Sequence, residues 1–272
     1  MKVYVMTDME GVAGVIDSPN YCFPESRYYE RGCELTTLEV NAAIEGALEA
    51  GATDIVVTDG HGHGAITPML LHPAAKLLKG RPRPIGAVLD ASFDVAISIG
   101  QHAKSNAPGG HLAHSGSFTV EELTINGVSI GESGRSFISA AYFGVPYVFL
   151  SGDLAAAAEA QALAPGIETA VVKEGLDRGS ATGLGMDENR AFNGAAIHLH
   201  PTKARQLIYE GVKRGLERRD QIGRFWLEPP YTLVHTQRPE NGVPGGVARV
   251  TGDDILKVFR APLELGKHVE AR

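Results

Sequence analysis

Cysteine is almost missing from this sequence: Cys22 and Cys33 are the only two in 272 residues. A chain of this size without a disulfide framework suits a reducing compartment, and the two are expected to be free thiols. Positive charge is also scarce, with 25 lysines and arginines against 32 acids and a net charge of −7. That balance argues against a surface that tracks phosphates, and excludes nucleic acid as a leading partner. No apolar run approaches the roughly 20 residues that a membrane span needs, and no charged segment followed by an apolar one opens the chain. The expectation is a protein of the cytoplasm with no membrane partner. "GESG" and "HSGS" lack the G-x-S-x-G elbow, and no serine triad is nominated.

What is present is an alternation of short apolar runs and helical stretches. "MKVYVM" reads as a buried strand, and so do "TDIVVTDG" (53–60), "FDVAISIGQH" (93–102) and "PYVFLSGD" (146–153). Between them, residues 25–51 carry apolar Leu38, Ala42, Ile44, Ala47 and Leu48 at helical spacing, with Gly51 placed to end the helix. "SFTVEELTINGVSIG" (117–131) alternates around Asn126-Gly127, the signal of a hairpin with a tight turn. A helix is expected from Glu132, and an alanine-rich helix after Asp153, which is expected to cap it. "TAVVKEG" (169–175) is followed by the glycine-rich "DRGSATGLGMDENRAFNG", expected to be a connection into a smaller unit. That unit holds the helix "PTKARQLIYEGVKRGLERR", the strand "YTLVHTQ" and a terminal segment. The fold class is therefore α/β: a mostly parallel sheet sandwiched by helices over residues 1–190, with a smaller α+β domain over 191–272.

Chemistry gathers at the strand ends. The first strand closes in "TDMEG", the second in "TDGHGHG", the third in "IGQHA", and the hairpin delivers "IGESG". A parallel sheet collects such termini on one edge, which would bring Asp8, Glu10, His61, His102 and Glu132 together. Singly, each has an ordinary reading as a cap, a turn residue or a solvated side chain. Jointly, carboxylate and imidazole form the ligand set of zinc or manganese, and the lack of cysteine among them favours a catalytic site over a closed structural one. Five ligands exceed what one open tetrahedral ion uses, whereas a pair of ions about 3.5–4 Å apart, bridged by one carboxylate, would employ them all. Asp59 could orient His61 or merely shape the turn after the second strand. His198 and His200 in "HLHP" precede Pro201 at a helix start and are set aside. Trp226 with Phe225 is expected in the core or at an interface.

These residues resemble the zinc-dependent D-aminopeptidase family associated with dipeptide-transport operons. The resemblance rests on D-M-E-G after the first strand, then "TDGHG", "GQHA", "PGGHLAHSGS", "INGVSIGESG" and "VPYVFLSGD" in that order, and covers roughly the first two thirds of the chain. It implies two zinc ions, with Asp8 shared and Glu10, His61, His102 and Glu132 completing the shells. It also implies that His114 is the catalytic histidine, passing a proton to the departing amine or attacking as a nucleophile. His63 stands beside His61, and His111 before His114; the motif spacing selects His61 and His114. The expected activity is hydrolysis of short peptides or aminoacyl amides by metal-activated water, with the preference for D-residues implied by the resemblance alone. A ring-like homo-oligomer such as a decamer is implied in the same way.

Two other classes are weighed. "TDMEGV" is similar to the D-x-D-x-T opening of magnesium-dependent phosphoaspartyl phosphatases, with Asp253 and Asp254 as the late acidic pair. Glu10 and Val12 depart from that pattern, and the histidines go unused because magnesium prefers oxygen ligands. A non-catalytic dipeptide-binding protein holding zinc structurally is the other alternative, against which an open, carboxylate-rich shell argues.

Overall fold

The computed structural model describes residues 1–80, 88–240 and 242–271. Its larger sheet is built from β1 (Lys2–Thr7), β2 (Asp54–Asp59), β3 (Ala75–Leu78), β4 (Val95–Gln101), β7 (Tyr147–Asp153), β8 (Glu168–Gly175) and β9 (Ala196–His198). The spatial order is β3-β2-β1-β4-β7-β8-β9. All neighbours are parallel except β9, which runs antiparallel to β8. Every residue of β4 and of β7 is buried, as expected for central strands covered on both faces.

Helices α2 (Tyr29–Glu49) and α6 (Pro201–Glu217) pack on each other against this sheet, as do α3 (Glu132–Tyr142) and α4 (Leu154–Leu163). In α2 the buried stripe runs through Val40, Ala43, Ile44 and Ala47, while Leu38, expected inside, lies on the outer side. Burying the larger of these side chains contributes about 1.5–3 kcal/mol each. Asp153 caps α4 by accepting the Ala156 N–H at 2.9 Å.

A second sheet has the order β12-β11-β10-β5-β6. It joins β5 (Val120–Ile125) and β6 (Val128–Ser129) to β10 (Tyr231–Gln237), β11 (Gly246–Gly252) and β12 (His268–Glu270). The β5–β6 hairpin turns at Asn126 and Gly127, with φ of 49° and 78°; this is the left-handed pair a type I′ turn requires. Both sheets draw on both sides of residue 190: β9 and α6 complete the first, and β5 and β6 belong to the second. The glycine-rich passage expected to be a plain connection contains a further helix, α5 (Met186–Phe192), whose start is fixed by Glu188 accepting the Gly185 N–H at 2.9 Å. Two short helices, α1 (Ser18–Tyr21) and α7 (Ile255–Arg260), complete the set. Phe225 is buried and Trp226 is partly exposed. Cys22 and Cys33 are buried free thiols. No helix is long and apolar enough to cross a membrane among the described residues.

This topology locates the site. From β1 the chain builds outward through β2 and β3, then returns to place β4 on the other side of β1. The strand order therefore reverses between β1 and β4, and their carboxyl ends flank the crevice such a reversal opens.

Candidate metal centre

Asp8 and Glu10 follow β1 directly, His61 follows β2, His102 follows β4, and Glu132 opens α3. The chain can turn so tightly after β1 because Gly11 has no side chain: its N–H donates to Gly100 O at 2.8 Å, and a Cβ there would lie 2.1 Å from Gln101 O. The five residues expected at one edge do meet. Nδ1 of His61 is 3.3 Å from Oδ1 of Asp8 and 3.1 Å from Oε2 of Glu10. Nε2 of His102 is 3.2 Å from the other Asp8 oxygen and 3.5 Å from Oε1 of Glu132. Asp8 thus stands between two halves of a cluster, one half on each carboxylate oxygen. His114 joins the second half, with Nε2 3.6 Å from Glu132 Oε1 and its ring stacked 3.8 Å from that of His102.

The far nitrogen of each ring reveals what the near one needs. His61 Nε2 lies 2.8 Å from Cys22 O, His102 Nδ1 lies 2.9 Å from Ala103 O, and His114 Nδ1 lies 2.9 Å from Leu112 O. A carbonyl only accepts, so in all three rings that nitrogen carries the hydrogen, and in the neutral ring the opposite one presents a lone pair. Those lone pairs point at carboxylate oxygens, an arrangement that repels unless a cation lies between. Oδ2 of Asp8, Oε2 of Glu10 and Nε2 of His102 are buried and make no hydrogen bond of acceptable geometry. Two groups of donor atoms, Asp8–Glu10–His61 and His102–His114–Glu132, each lie within 4.8 Å of one another. Oxygen and imidazole nitrogen in this ratio suit zinc.

Without a metal, protons must serve. Burial disfavours a charged His61, but the Glu10 carboxylate and the contact with Asp8 outweigh it and push the ring up to about 12. His102 is likewise raised against the cost of burial by Asp8 and Glu132. Asp8 is held well below the usual carboxylate range, again against burial, by the two imidazoles. A raised histidine pKa contributes stability that is complete below about pH 6.5 and is lost as pH rises through the folded value. The metal-free protein is therefore expected to lose stability above about pH 6.5, by about 1.4 kcal/mol per pH unit for each of the two histidines, and zinc in place of the protons is expected to abolish the slope. Urea unfolding at several pH values, with zinc and with chelator, measures both; parallel curves would contradict the reading.

Other expectations divide. Asp59 does not orient His61: its oxygens accept from Ala65 and Ile66 and pair with Lys79, closing the loop that carries the histidine, and the Cys22 carbonyl holds the ring instead. His63 is exposed beside the Phe23 ring. His111 is bound to Ile16 O at 3.0 Å, away from the cluster. His198 accepts the Gly14 N–H and His200 caps α6. Asp254 caps α7, accepting from Leu256 and Lys257, so it is occupied by a structural task and the late acidic pair of the phosphatase scheme loses one member.

Several supports were not anticipated. Lys173, in the middle of β8, is buried and donates to the carbonyls of Glu10 and Val15. Burial pulls its ammonium down to about 8. Glu39 on α2 accepts the Ala13 N–H at 2.9 Å. Together they clamp the loop after β1 from behind, and the clue in the sequence is a charge inside an otherwise apolar stretch. Asp153 accepts the Ala103 N–H at 3.1 Å, steadying the residue after His102. Phe118 stacks on His114 at 4.4 Å, opposite a spot no motif marks. A cavity of about 470 Å³ opens over the cluster, lined by Asp8, Glu10, His61, His114 and Glu132.

Comparison with known proteins identifies the family. The D-aminopeptidase family matches residues 1–192. A D-aminopeptidase of Bacillus subtilis (strain 168) is 34% identical over 235 residues, spanning 85% of this chain and 78% of the relative. A solved structure described as "Zn-dependent D-aminopeptidase DppA from Bacillus subtilis, a self-compartmentalizing protease" superposes with a TM-score of 0.83 at 28% identity, covering 96% of this chain and 94% of the other. With its strand-end acids and imidazoles assembled on one α/β sheet edge, the chain belongs to the D-aminopeptidase family.

Proposed function

We propose that this protein is a zinc-dependent aminopeptidase that hydrolyses short peptides or aminoacyl amides, with two zinc sites that share Asp8. Glu10 and His61 complete one site, and His102 and Glu132 the other. The observation that supports this best is the set of three imidazoles held by backbone carbonyls with their remaining nitrogens turned toward buried carboxylates. When bound, zinc polarises the scissile carbonyl and acidifies a water to near neutral pKa.

The chain's own groups do the rest. Burial lowers the His114 pKa and so favours the neutral ring, whose Nε2 would take a proton from the attacking water and return it to the departing amine. Leu112 O keeps the ring in that tautomer. Phe118, stacked on the ring, shields one side from water. A D-preference and assembly with copies of itself follow from what the Bacillus subtilis protein is described to be.

Metal quantitation on the purified protein is expected to give about two zinc ions per chain. Hydrolysis of D-aminoacyl amides and D-dipeptides is expected to vanish on chelation and to return with zinc, with the L-series slower. Light scattering is expected to show a homo-oligomer. Turnover of phosphate monoesters with magnesium alone, and none of peptides with zinc, would overturn the assignment.

A further inference from the structure

Glu159 lies on α4, outside the metal cluster, and is half-buried. Its partners are far from it in sequence: Oε2 accepts the Lys104 N–H at 3.0 Å, and Oε1 accepts the Gly131 N–H at 2.9 Å. Lys104 follows closely after His102, and Gly131 immediately precedes Glu132. One side chain thus joins the two segments that carry the ligands of the second half. The junction is tight, because a Cβ on Gly131 would lie 2.9 Å from Cβ of Lys104 and 3.1 Å from Oε1 of Glu159. Lys104 Nζ adds a bond to Ser129 O at 3.1 Å. Gly131 is the cap residue of α3 and has no side chain with which to hold the helix start, so the fixed point comes from α4. The same helix begins at Asp153, which accepts the Ala103 N–H; the loop after His102 is therefore gripped at two successive residues.

This junction bears on the metal ligands themselves. The His102 ring is tied to its own backbone through Ala103 O, and Glu132 is the first residue of α3. The 3.5 Å between His102 Nε2 and Glu132 Oε1 therefore depends on where the backbone of 103–104 sits against Gly131. A carboxylate that accepts one N–H on each oxygen sets that spacing with two charge-assisted bonds, each roughly twice as strong as a neutral one. The first half is held by other groups, Lys173 and Glu39, whereas the side-chain hydrogen bonds of Glu159 among the described residues go to these two segments. We propose that Glu159 is a positioning residue for the second zinc site: it sets the spacing of His102 and Glu132, and with it that site's affinity, and has no part in the first. The inference rests on the two-site reading above.

Zinc binding to the metal-free protein, read by competition with a chromophoric chelator, tests it. Glu10→Gln leaves the second site to be measured, and Glu132→Gln leaves the first. Glu159→Gln keeps one acceptor oxygen and turns an NH₂ group toward the other N–H. It is expected to weaken zinc by about 10- to 100-fold in the Glu10→Gln background and to leave the affinity in the Glu132→Gln background unchanged. Gly131→Ala presses a methyl group against Lys104 and Glu159 and is expected to reproduce the selective loss with the carboxylate intact; it decides alone if Glu159→Gln does not fold. Equal losses in the two backgrounds would mark a general structural role and overturn the proposal, and so would undiminished binding in both variants. A wild type that binds fewer than two ions would overturn the two-site reading, and this inference with it.

Discussion

Asp8→Asn is expected to strip zinc from both sites and to lower kcat/KM by about 10³-fold or more. The substitution keeps the shape of the side chain and removes its charge. In the native cluster one oxygen faces His61 and the other faces His102, so among the described residues this carboxylate is the group in contact with both halves. An amide offers one neutral oxygen, and its NH₂ group can only donate, so one half would meet a donor where a lone pair is needed. The loss extends beyond Asp8 itself: truncating one partner of a buried charged set leaves the others uncompensated, at a typical cost of about 3–5 kcal/mol. Because the Asp8 pKa is depressed in the metal-free protein, its charge contributes stability above about pH 3.9, lost as pH falls through the folded value. Asparagine forfeits that contribution at neutral pH. Zinc content, kcat/KM and urea unfolding at pH 7 should all fall together, whereas Glu10→Gln should empty one site and spare part of the other. Two retained zinc ions in Asp8→Asn would show that the halves do not share this residue.

The physical reason the edge of the sheet was legible in the sequence is that parallel strands buried on both faces leave an unmistakable trace. "VAISIGQ" and "YVFLSGD" contain no exposed position, and a polar residue following such a run has to emerge at the strand's carboxyl end. That argument reaches Asp8, His61 and His102, each of which directly or nearly directly follows its strand, and it extends to Glu132 through the Asn126-Gly127 turn. It fails where the interaction is with backbone. The Cys22 carbonyl that holds His61 comes from a short helix before α2, and nothing in the residue types of 18–22 announces it. It fails again at β9, β11 and β12, of which the first and last are too short to show a period. In β11 Val247 and Arg249 face out while Ala248 and Val250 face in, but an apolar residue at an outward position hides that period from the sequence. Lys173 and Glu39 stay illegible for a related reason: a charge in an apolar stretch tells that it has partners, but not that those partners are main-chain atoms of the loop after β1.

The histidine assigned to proton transfer is where sequence and geometry leave a choice that one measurement resolves. His114→Ala is expected to lower kcat by about 10²- to 10⁴-fold while zinc content stays at the wild-type value. The ring is locked by Leu112 O, stacked between His102 and Phe118, and its Nε2 is 3.6 Å from Glu132. Burial lowers its pKa, which favours the basic form, and the Leu112 carbonyl leaves Nε2 as its one site for a proton. Yet the same Nε2 lies close enough to the donor atoms of His102 and Glu132 to act with them as a third ligand. The two roles separate cleanly in the variant. A proton carrier can be removed without disturbing the metal, and the acid limb of the pH–rate profile should disappear with it; a ligand takes its ion with it when it goes. Loss of one zinc per chain in His114→Ala would therefore reassign the ring to the second site, as a ligand beside His102 and Glu132, and would leave the proton to another carrier.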